Sequence, residues 1–202
     1  MSQLILDERF TQPALDERLR WIHPPEHWQL DHAKRVLALQ PSAETDFWQR
    51  THYGFAADNG HFLGLEVSGD FDLVTRVRFH PAHQYDQAGL MIRADAGCWV
   101  KTSVEHELDG PPQLGVVVTN HGFSDWSMQD LPLAEPEIRL RLCLRGGDVT
   151  AEYGAVGDTR WKRMRIARLQ FANLPLWCGL YACSPKAAGF RAEFKFLRVE
   201  RA

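Results

Sequence analysis

Apolar and polar residues alternate with a period of two along much of this chain, the rhythm of strands whose successive side chains point to opposite sides of a sheet. In Arg139-Leu140-Arg141-Leu142-Cys143-Leu144-Arg145 leucine takes every second position, and Arg191-Ala192-Glu193-Phe194-Lys195-Phe196 repeats the pattern near the end. In Gln87-Ala88-Gly89-Leu90-Met91-Ile92-Arg93, residues Ala88, Leu90 and Ile92 share one face, while Gln87, Gly89, Met91 and Arg93 share the other. Trp99-Val100-Lys101-Thr102-Ser103-Val104-Glu105 likewise turns Val100, Thr102 and Val104 inward and Trp99, Lys101, Ser103 and Glu105 outward. Turn signals punctuate these runs: Asp58-Asn59-Gly60, Gly69-Asp70, Asp109-Gly110 and Gly146-Gly147, each read as a hairpin. Residues 16–20 and 26–33 read as short helices, but no long helical stripe competes with the strands. The pattern predicts an all-β, antiparallel two-sheet sandwich, with Leu90, Ile92, Val100, Val104, Leu140, Leu142, Phe194 and Phe196 in its core.

At 202 residues the chain can bury a sizeable core, and no linker-like stretch divides it, so one domain over residues 1–202 is expected. A net charge of -3 and a pI near 6.3 give no reason to expect nucleic acid or a membrane surface as partner. Leu4-Ile5-Leu6 before Asp7 is too short for a signal peptide, and no run approaches the ~20 apolar residues of a membrane span, so a cytoplasmic location is expected. Cys98, Cys143, Cys178 and Cys183 form no CxxC pair and read as reduced thiols, with Cys178 and Cys183 on opposite faces of one strand. No cofactor or metal is expected. His23-Pro24-Pro25-Glu26-His27 matches the letters of a zinc-peptidase motif, but two prolines bar the helix that would bring both histidines to one face.

Candidate chemistry gathers between Gln87 and Trp126, where a soluble sheet carries amide, charged and aromatic side chains together. The expected ligand-binding residues are Gln87, Arg93, Lys101, Glu105, Asn120, Asp125 and Trp126, joined by His52, which shares a parity with Trp48 and Arg50. Lys101 and Arg93 are the expected ion partners of Glu105, in a cluster suited to orienting a polyol by charge-assisted hydrogen bonds. A hydrolase alternative pairs Glu105 with Glu107 or Asp125 across a glycosidic bond. No nucleophile elbow, phosphate-binding glycine loop or Ser-His-Asp order stands out.

With these residues in view, the chain resembles a family of uncharacterised proteins with a concanavalin A-like fold that includes a fungal protein named for regulation of enolase. The resemblance is carried by Thr45-Asp46-Phe47-Trp48, Tyr85-Asp86 with the strand to Arg93, Trp99-Val100-Lys101, Val104-Glu105, Val116-Val117-Val118-Thr119-Asn120, Ser124-Asp125-Trp126-Ser127 and Gly179-Leu180-Tyr181-Ala182-Cys183-Ser184-Pro185. It implies a jelly roll whose concave sheet binds saccharides, or carries glycosidase carboxylates, in other members of the wider fold. The E-x-D-x-x-E strand of laminarinase-like enzymes is missing, since His106 and Glu107 follow Glu105. Three functions follow as expectations. The first is binding of a small carbohydrate or polar metabolite on the concave sheet. The second is interaction with a metabolic enzyme such as enolase or, through edge strands, with a second copy as a homodimer. The third is glycoside hydrolysis by Glu105.

Overall fold

The computed structural model of the protein describes residues 3–131, 137–172 and 175–202. Its strands are β1 (Leu4–Glu8), β2 (Arg20–Ile22), β3 (His27–Asp31), β4 (Val36–Gln40), β5 (Phe47–Gln49) and β6 (Ala56–Asp58). They continue with β7 (His61–Val67), β8 (Phe71–His80), β9 (Gln87–Asp95), β10 (Cys98–Glu105), β11 (Gln113–Asn120) and β12 (Phe123–Asp130). The last five are β13 (Glu137–Arg145), β14 (Asp148–Ala155), β15 (Lys162–Arg168), β16 (Leu176–Cys183) and β17 (Arg191–Arg201). One sheet runs β15-β14-β13-β8-β17-β4-β3, with β1 also on β17; the other runs β12-β11-β10-β9-β16-β7-β2. All ladders within them are antiparallel. Among the described residues no helix is long and apolar enough to cross a membrane.

The expected period-two faces form the layer between the sheets. Leu90, Ile92, Val100, Val104, Leu140, Leu142 and Phe194 all lie in the main hydrophobic cluster. Phe196 does not. The β17 register slips between Phe194 and Phe196, a bulge that moves Leu197 and Val199 to the inward parity and turns Phe196 outward beneath Arg9. The Thr75 hydroxyl, fully buried opposite the bulge, donates to the Phe196 carbonyl at 2.6 Å and so satisfies a group the slip would leave bare.

The turns separate strands where expected, but only two of the four make hairpins. Asp109-Gly110 joins β10 to β11 and Gly146-Gly147 joins β13 to β14. Gly69-Asp70 carries the chain from β7 in one sheet to β8 in the other, and Asn59-Gly60 connects β6 to β7, which do not pair. Alternation shows which way a side chain points, not which strand lies alongside. The two expected helices are likewise absent: Asp16 accepts from the Arg18 backbone in a local turn before β2, and residues 27–31 are the edge strand β3 on β4. Pro24-Pro25 leave a segment too short to nucleate a helix in water, while β4 offers a ladder.

Candidate functional site

The central strands of the second sheet, β9, β10, β11 and β16, are buried on both faces, and their outer face carries the candidate site. Every residue of β10 is buried, including the outward-parity Trp99, Lys101, Ser103 and Glu105. These positions, expected to face solvent, are covered by residues 41–60, which cross the sheet as a strap containing the small β5-β6 ladder. Phe47, Trp48, Phe62, Met91, Trp99, Val117, Tyr181 and Cys183 form a second apolar cluster there. Cys183 therefore lies on this outer face and Cys178 in the layer between the sheets, as their spacing requires.

Buried ion pairs pin the strap. The Arg93 guanidinium takes both Asp58 carboxylate oxygens, at 2.9 and 3.1 Å. Lys101 Nζ donates to Asp46 Oδ1 at 3.2 Å, to the Phe47 carbonyl at 2.8 Å and to Gln87 Oε1 at 2.8 Å, which uses all three of its protons. Gln49 N–H donates to Ser124 Oγ, itself hydrogen-bonded to Thr119. Beside the strap, Asp86 is fully buried and accepts from Ala82 N, His83 N and Ser184 Oγ, so it fixes the turn that presents Tyr85 in a left-handed conformation.

Between strap and sheet lies a cavity of about 210 Å³. Trp48, Tyr53, Phe55, Tyr85 and Trp126 supply aromatic surface to it, and Asp46, Gln87, Lys101 and Glu105 supply polar groups. Trp48 meets Trp126 and Tyr53 edge to face, with centroids 6.2 and 5.5 Å apart. Gln87 and Lys101 satisfy one another, and Tyr181 OH adds a 3.2 Å bond to the same Gln87 oxygen.

Glu105 is different. Its side chain is buried, yet no hydrogen bond or ion pair among the described residues reaches its carboxyl. Burial raises its pKa to about 8 against the opposing pull of Lys101, with Asp46 and Glu107 adding to the rise, so the acid is mostly neutral at pH 7. The Trp126 indole N–H is the second unsatisfied group: Nε1 is buried and has no partner.

Residues 21–202 match a family described as "Protein of unknown function (DUF1349)". The chain belongs to this family. It is 34% identical over 174 residues to Regulation of enolase protein 1 of Saccharomyces cerevisiae, a match covering 86% of this chain and 85% of the yeast protein. The crystal structure of a functionally unknown protein from the same yeast superimposes with a TM-score of 0.84 at 31% identity, over 92% of this chain and 97% of that one. The Bacteroides ovatus xyloglucan PUL GH43B structure superimposes with a TM-score of 0.77 at 20% identity, over 97% of this chain but 39% of that one, a likeness of fold alone. The family's fold here is the concanavalin A-like jelly-roll sandwich.

Within this family member, the cavity brings together four of the eight expected ligand residues: Gln87, Lys101, Glu105 and Trp126. Arg93 is a strap anchor, held by Asp58. Neither Arg93 nor Lys101 pairs with Glu105, because the strap delivers Asp58 and Asp46 to them. Asn120 and Asp125 point to the other side of their strands. Asn120 takes the parity of Val116 and Val118, and its side chain bridges the Arg168 carbonyl and Gln170 N. Asp125 lies opposite Val118 and pairs with Arg165. His52 sits on the strap's turn beyond β5, in a left-handed conformation against Tyr53 at 4.7 Å, so strand parity does not apply to it.

The cavity also contains residues that strand-by-strand parity missed: Asp46, Tyr53, Phe55, Tyr85 and Lys186. Asp46 and Tyr85 stood within the family-like stretches at 45–48 and 85–93, the signal that points to them. Tyr53, Phe55 and Lys186 carry no such signal, being ordinary loop residues until the strap folds over.

Proposed function

We propose that this protein binds a small carbohydrate, or a polar metabolite of similar size, in the cavity beneath the strap. The observation that carries the reading is the juxtaposition of the buried Trp126 indole N–H, which has no partner, with the Glu105 carboxyl, which no donor among the described residues reaches, beside an aromatic-lined space. A buried polar group without a partner is costly, and a ligand that completes its hydrogen bonds recovers that cost. Aromatic surface supplies the faces on which the apolar side of a sugar ring packs. About 210 Å³ is below the roughly 300–1,000 Å³ of drug-sized sites, a scale that suits a single sugar unit.

A calorimetric screen of free sugars and sugar phosphates, with a glycan array, tests this. Glu105→Ala and Trp126→Ala are each expected to weaken binding at least about tenfold, the loss of roughly one good hydrogen bond to a buried group. Binding that survives both substitutions unchanged would put the site elsewhere. The hydrolase reading lacks support from the geometry: Asp125 faces away, Glu107 accepts from Gln84, and Asp46 is paired with Lys101.

The name of the yeast relative favours a second reading, an interaction module acting on a metabolic enzyme such as enolase. Exposed Tyr53 and Phe55 on the strap and Phe123 and Met128 on edge strand β12 are apolar groups available for such a contact. Purified enolase mixed with the full chain is then expected to co-elute in size-exclusion chromatography, with Tyr53→Ser/Phe55→Ser abolishing the shift. Independent elution of the two wild-type proteins would remove this reading.

A further inference from the structure

We propose that the space above Gly115, between Trp126 and Glu105, is a seat for one alcohol hydroxyl of the ligand, and that the absence of a side chain at position 115 keeps it open. The inference rests on the ligand-binding reading above and narrows its chemistry. Three polar atoms converge on the bare Cα of Gly115: the position a Cβ would occupy lies 3.4 Å from Trp126 Nε1, 3.5 Å from Ser103 Oγ and 3.6 Å from Glu105 Oε2. Register explains the convergence. Gly115 stands directly opposite Ser103 on β10, Glu105 is two residues further along that strand, and Trp126 faces Val117, the next outward residue of β11. Any larger side chain at 115 would stand where these atoms meet.

The two orphaned groups ask for complementary things. The indole N–H only donates, so the seated atom must offer a lone pair. The Glu105 carboxyl is buried with no cation among the described residues holding it, and in its neutral form it both donates and accepts, so a neutral group that also does both completes it. A hydroxyl does both. A carboxylate or phosphate would bring a charge into a buried space where the three protons of Lys101 are already committed to Asp46, Phe47 and Gln87; a quaternary ammonium has no lone pair for the indole. The seat therefore selects a neutral hydroxyl end, while exposed Lys186, 5.3 Å over the Tyr85 ring, lines the cavity along with Glu105 and Trp126.

Gly115→Ala is the discriminating variant. Its backbone is not in the left-handed region and its nearest neighbours would be at ordinary contact distance, so the methyl fills the seat without breaking the fold. Alanine also loses less backbone freedom than glycine in a strand. The full chain, labelled with 15N, is titrated with D-glucose, D-xylose and L-arabinose, and with tetramethylammonium chloride and sodium acetate as hydroxyl-free counter-probes. The Trp126 indole resonance is identified by its absence from Trp126→Phe.

The expected result is that at least one sugar shifts the Trp126 resonance and neither counter-probe does. Gly115→Ala should bind that sugar at least about tenfold more weakly while melting no lower than wild type, and Trp126→Phe should lose at least about fivefold. If Gly115→Ala melts lower, the Trp126→Phe loss decides. Wild-type affinity in both variants, alongside loss in Glu105→Ala, overturns the seat and leaves the ligand-binding reading standing. A Trp126 shift from tetramethylammonium or acetate but not from sugars overturns the hydroxyl chemistry. No binding of any sugar by wild type overturns the ligand-binding reading and the seat with it.

Discussion

Glu105→Gln is expected to make the folded protein more stable by roughly 3 kcal/mol at pH 7, and by little or nothing at pH 4. The folded carboxyl holds its proton up to about pH 8, whereas the unfolded side chain releases it near its ordinary value of 4.5. Between those two values the unfolded chain binds fewer protons than the folded one, so stability contributed by this group falls as pH rises, and the fall is complete above about 8. Below 4.5 both states are protonated and the acid costs nothing relative to an amide. Glutamine keeps the shape and never ionises, so the variant escapes the penalty. Urea unfolding of wild type and Glu105→Gln at pH 4, 7 and 9 measures the gap. A gap independent of pH would mean that the carboxyl is solvated or paired in solution. The same substitution alters a group of the proposed binding site, and a variant that gains stability while losing binding is the usual signature of a strained group retained for function.

Lys101→Met should have an effect of the opposite sign, costing about 3–5 kcal/mol. The ammonium is buried to 4% side-chain exposure and holds Asp46, the Phe47 carbonyl and Gln87 at once. Methionine keeps most of the stem that packs near Trp99 and Tyr181 but strips the Asp46 carboxylate of its cation and takes one donor each from the Phe47 carbonyl and Gln87 Oε1, the latter keeping only the Tyr181 hydroxyl. The strap loses its central anchor, so the environment of Trp48 and Trp126 should change in the near-ultraviolet circular dichroism of the still-folded protein. Lys101→Met/Asp46→Leu should recover part of the loss, because the stranded charge is then gone. A double variant no more stable than the single one would show that the unpaired carboxylate is not what the lysine offsets.

Both effects depend on an environment that strand parity alone misread. Lys101 and Glu105 share a face of β10, and an outward parity on a half-buried antiparallel sheet ordinarily means solvent. Here residues 41–60, whose own pattern predicts little more than a turn and a short strand, lie across that face and supply Asp46 and Asp58. The acids that pair with Lys101 and Arg93 come from 55 and 35 residues away, a separation that no local spacing records. Glu105, expected in an ion pair, is left alone because its two expected partners were claimed by the strap. The same distant contact turned a surface charge into a buried neutral acid and created the cavity.

What the chain's own pattern determined is the two-sheet class and the inward faces of β9, β10 and β13, because a period of two admits only one arrangement of apolar side chains that buries them. The family-like stretches determined where the site's sheet lies. Strand neighbours, the slip at Phe196 and the crossing at Gly69-Asp70 were decided only in three dimensions, since alternation is the same whichever ladder a strand joins. The tertiary structure also decided which polar residues share one cavity. Asn120 and Asp125, one residue out of phase with the site, belong to the far face of the sheet. Among the described residues the strap closes over the sheet without bringing a hydrogen-bond partner to the Trp126 indole N–H or to the Glu105 carboxyl.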